Sequence, residues 1–564
     1  MWNEIQPDFP MPSPRLHQAE SLSVIKWALE NDDFDNIVIQ APTGIGKSAI
    51  AMTIQKWFKS CYLLTPSLGL TEQYKRDYGH LLSEVRGRRN FPCWVRSGDA
   101  HGAPCYPNGK MCAHAKRGED ACPYYAQKYA AADARLTLSN PAYLFRVIQG
   151  DTNFDQREFA IIDEAHRLES FMLDLLEVKI TSHDYKKVFG KLALPFHYFT
   201  EDWEGDMTRL HRGAEAGLIR AEAEKNEDKV EQFRAIINKT SVVLELLKKP
   251  KTVIVETPRG RGGERFILFR PIRVNQFASE RLETISRKRI FMSATILDVD
   301  TFLSSLGIED QKTLYVNVKE SPFPRSNFKI HFANCGPMSY GKRKHSLPRQ
   351  IKAIAAIMER NTTRRGVVLP HSHAIREAIV DGLRELGLGD RIITHGSDPR
   401  GRQIALDSFF NSDDSGLVLI STYVGEGFDF KGKLAEWLVI CKIPYLPIKG
   451  DAVIEKRMEE DEHTWRAEFE GTPDCPYEEP NKYSGGLCSS FSCPQPCRAW
   501  YRLQTALKLV QGAGRIIRSP TDQGELFILD GSWTRYAKHN MAILPSWFRD
   551  SILEPPAWLK RHII

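Results

Sequence analysis

The sequence predicts an α/β protein built on two doubly wound parallel sheets, the first of them interrupted by two insertions. Three observations carry this expectation. Short apolar runs of strand length end in polar motifs and lead into helical periodicity, the pattern of a parallel sheet with helices on both faces. The series occurs twice, on either side of Pro322 and Pro324. The first series is broken by a Cys-, Gly- and Pro-rich segment without periodicity, and then by a long, charged, helical one.

Taken in order, Asn36–Gln40 reads as a buried strand that feeds a glycine-rich loop and a helical pattern through Lys59. Tyr62–Thr65, Phe159–Ile162 and Arg289–Met292 read as further buried strands, each meeting a polar motif. The interruptions run from about Gly87 to Ala134 and from about Ser170 to Ile285, the latter largely helical with a basic, hairpin-like turn over Pro258–Gly263. In the second series the strands are Gly366–Leu369, Arg391–Ile393, Gly416–Ile420, Trp437–Ile440 and Leu526–Leu529.

A length of 564 residues exceeds what one core normally organises, so two to four domains are expected. With 42% hydrophobic and 26% charged residues, a disordered, collagenous or membrane-embedded chain is excluded. The longest apolar stretches, such as Leu438–Cys441, fall far short of the ~20 residues of a membrane span. Met1-Trp2-Asn3-Glu4 opens no secretory signal, so the expectation is a cytoplasmic protein without a membrane partner. A net charge of +6 does not specify a nucleic-acid partner, although such an excess can be concentrated along a groove.

Ala41-Pro42-Thr43-Gly44-Ile45-Gly46-Lys47-Ser48 lies between a strand and a helix, as a phosphate-binding loop requires. Backbone N–H groups and the helix start would face phosphates, Lys47 adds a point charge and Ser48 a magnesium ligand. Ala41 stands where the generic pattern has its first glycine. Asp163-Glu164-Ala165-His166 follows the strand ending at Ile162. A carboxylate there can hold Mg²⁺ and a neighbouring glutamate can orient the attacking water. Gln511-Gly512-Ala513-Gly514-Arg515-Ile516-Ile517-Arg518 offers two arginines three apart on one helical face, suited to stabilising a transferring phosphoryl group.

These motifs, in this order, resemble superfamily 2 helicases, and more narrowly the XPD/DinG family of iron–sulfur helicases. Arg15 and Gln18 resemble the adenine-reading Q-type motif, Lys47-Ser48 motif I, Thr65-Pro66-Ser67 motif Ia, and Asp163–His166 the DEAH box. Ser293-Ala294-Thr295 resembles motif III, Ser321–Pro324 the start of the second motor domain, Gly425-Glu426-Gly427-Phe428-Asp429 motif V, and Gln511–Arg518 motif VI. The resemblance implies two RecA-like motor domains, the first carrying an iron–sulfur insertion and a helical arch. Motor domain 1 would comprise residues 1–86, 136–169 and 286–318, with the iron–sulfur insertion at 87–135 and the arch at 170–285. Motor domain 2 would be 319–564 with a Cys-rich insertion at about 458–498. ATP would be bound by Arg15, Gln18, Thr43, Gly44, Gly46, Lys47, Ser48, Gly425, Glu426 and Asp429. Glu164 would activate water, Asp163 and Ser48 would hold magnesium, and Lys47, Gln511, Arg515 and Arg518 would act at the phosphates.

Cysteines are clustered. Cys93-x11-Cys105-x6-Cys112-x9-Cys122 supplies four thiolates that suit a [4Fe–4S] cluster or Zn²⁺, and spacing alone does not choose. The usual zinc pattern of two close pairs is absent, and the position in the family points to iron–sulfur. Arg86, Arg88, Arg89, Trp94 and Arg96 nearby offer phosphate contacts and a stacking face for single strands. A second set, Cys475-x12-Cys488-x4-Cys493-x3-Cys497, departs from the family pattern; in a stretch poor in apolar residues it suggests zinc or a second iron–sulfur cluster. Cys61, Cys335 and Cys441 read as core fillers. The implied activity is ATP-dependent 5′→3′ translocation on single-stranded DNA with unwinding of forked duplexes by a monomer, as in DNA repair or replication. An RNA or RNA–DNA hybrid helicase, or a DNA-binding scaffold switched by ATP, are the alternatives.

Overall fold

The computed structural model describes residues 1–564 except 32–33, 96, 104, 106–111, 149–152, 192–193, 225, 259–264, 322, 423–431, 469–497, 517–520 and 564. Its strands are β1 (Asn36–Gln40), β2 (Cys61–Leu64), β3 (Ser83–Val85), β4 (Leu136–Ser139), β5 (Arg157–Ile162), β6 (Val178–Thr181), β7 (Val253–Glu256), β8 (Phe266–Pro271), β9 (Ser286–Ser293) and β10 (Thr313–Asn317). They continue with β11 (Phe328–Phe332), β12 (Gly366–Leu369), β13 (Ile392–Thr394), β14 (Val418–Ile420), β15 (Trp437–Ile440), β16 (Gly524–Ile528) and β17 (Ile552–Leu553).

Two seven-stranded sheets form, in the orders β10-β1-β9-β5-β2-β4-β3 and β13-β14-β12-β15-β16-β11-β17. All their pairings are parallel. Each is buried on both faces, and the two-residue period of a strand divides its side chains between two cores. Ile37, Ile39, Leu63, Ile161 and Met292 belong to one core of the first sheet, while Val38, Leu64, Ala160, Ile162 and Phe291 belong to the other. The second sheet divides likewise, with Val367, Leu438 and Leu526 against Val368, Val439 and Phe527. This is the expected pair of doubly wound domains, consistent with RecA-like lobes. Trp437, fully buried, faces Gly366 in register on β12, and a Cβ at Gly366 would collide with the indole.

The segment between β5 and β9 is largely helical, as expected, but not wholly so. Trp203–Ala223 and Glu227–Leu247 form two long helices, but β6, β8 and β7 add an antiparallel sheet on which they rest. The basic turn lies between the paired strands β7 and β8, with residues 259–264 outside the described set. Trp203, Met207, Leu210, Ile236 and Val243 share one continuous core with β2 and β5, so this insertion is packed into the first lobe. The Cys-rich insertion starts later than expected, because Ala452–Glu468 is a helix.

That helix meets the first lobe through charge. Arg273 pairs with Glu460 and Asp461, and Arg270 lies 3.1 Å from Asp451 just before the helix. Among the described residues no helix is long and apolar enough to cross a membrane.

Candidate nucleotide cleft

β1 ends at Gln40, whose side-chain oxygen accepts hydrogen bonds from Ile296 N (2.8 Å) and Leu297 N (2.5 Å) after β9. The strand therefore stops where its neighbour stops, and the chain turns into the loop Ala41–Gly46. Gly44 and Gly46 both have φ of 86°, a backbone state that any Cβ would strain. Gly46 precedes the helix Lys47–Ile54, with Lys47 Nζ donating to Ala41 O at 3.2 Å. Arg15 donates to Gly44 O at 2.8 Å and Gln18 Nε2 to Gly46 O at 3.1 Å. Gln18 Oε1 accepts from Arg15 N at 2.6 Å, so both polar atoms of this 2% exposed side chain are engaged within the protein. In this conformation Arg15 and Gln18 grip the loop.

β5 delivers Asp163, buried, and Glu164, half-exposed, at the same edge. Asp163 Oδ1 accepts from Glu164 N and Oδ2 from Tyr74 Oη, each at 2.8 Å. Burial, and then the Glu164 charge, push the Asp163 carboxyl up to about 6, against the pull of Lys47 and Tyr74. Glu164 has φ of 49°, an uncommon left-handed state for a side-chain-bearing residue. His166 Nδ1 shares a 2.7 Å hydrogen bond with Ser293 Oγ, which also accepts from Thr295 N at 2.9 Å. The motif after β5 and the motif after β9 are thereby wired together.

A cleft of about 460 Å³ opens over these residues. Pro42, Thr43, Glu164, His166 and Thr295 line it from the first lobe, and Gln511, Gly514 and Arg515 from the second. The sequence reading missed two aromatic walls, Phe323 and Trp547. A Cβ at Gly44 would collide with the Phe323 ring, which places the connection between the lobes directly against the loop. Its aromatic side chain after Ser321 was the available signal. Arg518, Gly425, Glu426 and Asp429 lie outside the described residues.

Cys105 and Cys122 are buried in a small core with Ala100, Ala103, Tyr124 and Tyr125, against which Cys93 and Cys112 pack. All four thiols are free. Burial raises the Cys112 thiol against a lowering hydrogen bond with the His114 backbone, and the neighbouring Cys105, Cys122 and Cys93 add to the rise. Among the described residues no group of three or more His, Cys, Asp or Glu is arranged to hold a metal ion. The basic residues beside this core divide. Arg88 is buried, donates to Tyr125 Oη at 2.9 Å and to Cys105 Sγ at 3.4 Å, and stacks on Tyr124, so it packs the core and offers no phosphate contact. Arg86 is spent on Glu72 and Glu84. Arg89 and Trp94 are exposed, while Arg96 lies outside the described residues. Cys475, Cys488, Cys493 and Cys497 also lie outside them. Cys61, Cys335 and Cys441 are fully buried, as expected of core residues.

Two parallel-sheet lobes closing one cleft over a glycine loop, a paired Asp-Glu and an arginine define the class of two-lobed RecA-like motors. Comparison with known proteins narrows this. The profile described as "Helicase C-terminal domain" matches residues 355–551, and that of "Type III restriction enzyme, res subunit" matches 11–194. A "Regulator of telomere elongation helicase 1 homolog" of Caenorhabditis briggsae is 28% identical over 25% of this chain, and the match spans only 12% of that relative. "ATP-dependent DNA helicase YoaA" of Haemophilus influenzae is 21% identical, covering 92% of this chain and 91% of its own. Among solved structures, one titled "XPD_Helicase" covers 96% of this chain with a TM-score of 0.63 at 15% identity. The S. tokodaii Xpd4 structure covers 96% with a TM-score of 0.54 at 14% identity, and both likenesses concern the fold. These likenesses support a superfamily 2 helicase of the XPD/DinG-like kind, with helicase sequence similarity over residues 355–551 and an XPD-like fold over nearly the whole chain.

Proposed function

We propose that this protein is an ATP-dependent helicase that moves 5′→3′ along single-stranded DNA and unwinds duplex ahead of it. The observation that carries the reading is the single cleft lined by Thr43 and Glu164 from one lobe and by Gln511 and Arg515 from the other. A nucleotide bound there touches both lobes, so its hydrolysis changes how they close. Lys47 and Arg515 neutralise phosphate charge, and Glu164 orients the attacking water. Arg518, Gly425, Glu426 and Asp429 are proposed to complete the site.

The oxygen donors Ser48 and Asp163 fit magnesium, a hard cation, and the buried carboxyl of Asp163 beside Lys47 is poised for it. Magnesium supplies charge neutralisation between the phosphates. Asp163 and Ser48 hold their oxygens at the loop, and Lys47 faces the same charge. At the cysteine core, Cys93, Cys105, Cys112 and Cys122 are the free thiols that would hold a [4Fe–4S] cluster, but they are not gathered into a ligating set among the described residues. Such a cluster would supply a rigid staple. Exposed Trp94 and Arg89 then present a stacking face and a charge to a single strand.

Strand displacement tests the reading. Forked and 5′-tailed duplexes should be unwound with ATP, and binding should weaken steeply with salt as phosphate contacts release counterions. Equal unwinding from a 3′ tail removes the polarity. Preference for an RNA tracking strand replaces the substrate, and ATP turnover without displacement leaves an ATP-switched binding protein.

A further inference from the structure

The helix Leu68–Tyr78 follows Thr65-Pro66-Ser67 and is capped by Ser67 Oγ, which accepts from Leu70 N. One face carries Tyr74 and Tyr78, four residues apart and therefore stacked along the helix, with exposures of 1% and 4%. The Tyr74 hydroxyl donates to Asp163 Oδ2 at 2.8 Å. The Tyr78 ring lies 6.2 Å from the Tyr74 ring, centre to centre.

A buried phenol needs a partner, but nothing in apolar packing selects the Asp163 carboxylate for Tyr74. Phenylalanine would fill the same place without any polar obligation. Asp163 is held at both oxygens, Oδ1 by Glu164 N and Oδ2 by Tyr74. An ionised carboxylate has about four lone-pair sites, so each oxygen keeps one free for the hydration shell of a cation. Leu70, on the same helical stripe as Tyr74, and Gly69 and Gln73 beside it line the cleft shared with Gln511 and Arg515. The helix thus joins that cleft to the Asp163 carboxylate.

We infer that Tyr74 is a positioning residue that fixes Asp163 for the nucleotide-bound cation, so that the helix Leu68–Tyr78 tunes the strength of cation binding. This rests on the reading of the cleft as a nucleotide site. Tyr74 need not touch nucleotide or metal. It acts through the carboxylate oxygen it holds.

Calorimetric titration of the full chain with ADP, with and without Mg²⁺, tests the inference on Tyr74→Phe and, separately, Tyr78→Phe. Each change removes one hydroxyl and keeps the ring that packs the core, and thermal unfolding checks that the fold is retained. Tyr74→Phe should weaken Mg²⁺-ADP binding by roughly tenfold, about the worth of one hydrogen bond to a charged group, and leave metal-free ADP binding unchanged. Tyr78→Phe, which removes a phenol from the same helix without touching Asp163, should leave both forms of binding unchanged and serves as the control. A purely structural role of Tyr74 would weaken both forms of binding together, and that result overturns the inference. So does an unchanged Mg²⁺ increment in Tyr74→Phe. Failure of the unaltered protein to bind ADP at all overturns the cleft reading and this inference with it, whereas normal binding with unaffected variants overturns the inference alone.

Discussion

Glu169, at the start of the helix Leu168–Leu176, accepts a 2.5 Å hydrogen bond from Arg457 in the second lobe, and both side chains are at most 10% exposed. The other carboxylate oxygen accepts from the Trp500 indole at 2.9 Å, and the Arg457 guanidinium lies 3.8 Å over that ring. One carboxylate thus ties two helices of the second lobe, Ala452–Glu468 and Ala499–Ala513, to the residue just past Asp163–His166. Arg457→Ala would leave the buried Glu169 charge without its cation, a loss of about 3–5 kcal/mol. A Glu169→Leu/Arg457→Met double variant should recover most of it. Denaturant unfolding of the single and double variants measures the coupling.

Lys47→Ala and Glu164→Gln should each lower DNA-stimulated ATP turnover by on the order of 10²-fold or more, because each removes a group aimed at the reacting phosphate or water. Circular dichroism should be unchanged. Near-normal turnover in either variant removes that residue from the chemistry.

Cys112→Ser should abolish the visible absorption of the purified protein and uncouple hydrolysis from unwinding. Cys105 and Cys122 are the more deeply buried pair, so Cys105→Ser should also loosen the surrounding Tyr124–Tyr125 core. Elemental analysis of anaerobically purified protein reads the second cysteine set as well: roughly one zinc beyond the first cluster, or about twice the iron of one four-iron centre. Iron for one cluster and nothing more reduces Cys475, Cys488, Cys493 and Cys497 to ordinary cysteines.

Glu525 on β16 is held at about 2, below its ordinary 4.5, chiefly by His331, whose Nε2 lies 3.6 Å away, and then by Arg364 at 2.9 Å. A carboxyl with a depressed folded pKa adds stability above pH 4.5, and this is lost as pH falls from about 4.5 to 2. After allowance for partial exposure the contribution is about 1–3 kcal/mol. Glu525→Gln should destabilise the second lobe at pH 7 and flatten its stability profile over the acid range, as followed by thermal unfolding.

The two central sheets were legible because their middle strands are buried on both faces and read as unbroken apolar runs, as in Val38-Ile39 or Leu438-Val439. The edge strand β13 was legible too, but β4 and β11 were not. In β4 two of four residues are Thr137 and Ser139, polar yet buried, and their hydroxyls donate to Ala131 O at 2.5 Å and Val85 O at 3.3 Å. Those bonds are non-local and leave no periodic trace. β11 alternates Phe328, Ile330 and Phe332 with Lys329 and His331, whose burial depends on neighbours from β16 and β17. At the cleft, Lys47, Asp163, Glu164, Gln511 and Arg515 could be named from local strings, since each motif is contiguous. Tyr74 and Phe323 could not, because an aromatic residue in a helix or after a turn reads as core until its partner is known. Arg88 shows the converse: a basic residue in an apparently nucleic-acid-facing string is consumed by its own core.

The position of β9 governs how this chain can be made. It pairs with β1 on one side and β5 on the other, although β5 ends at Ile162 and β9 begins only at Ser286. At about 5–20 residues per second, a ribosome needs roughly 6–25 s to supply the intervening 123 residues. Throughout that interval the emerging chain has two hydrophobic strands with bare, mutually compatible edges and no legitimate occupant for the gap between them. Direct pairing of β1 with β5 would bury both edges and shut β9 out, a wrong closure that the apolar composition of the strands does nothing to forbid. The insertion that separates β5 from β9 therefore imposes a delay during biosynthesis, and the yield of correctly closed protein should depend on elongation speed and on chaperones that cover strand edges.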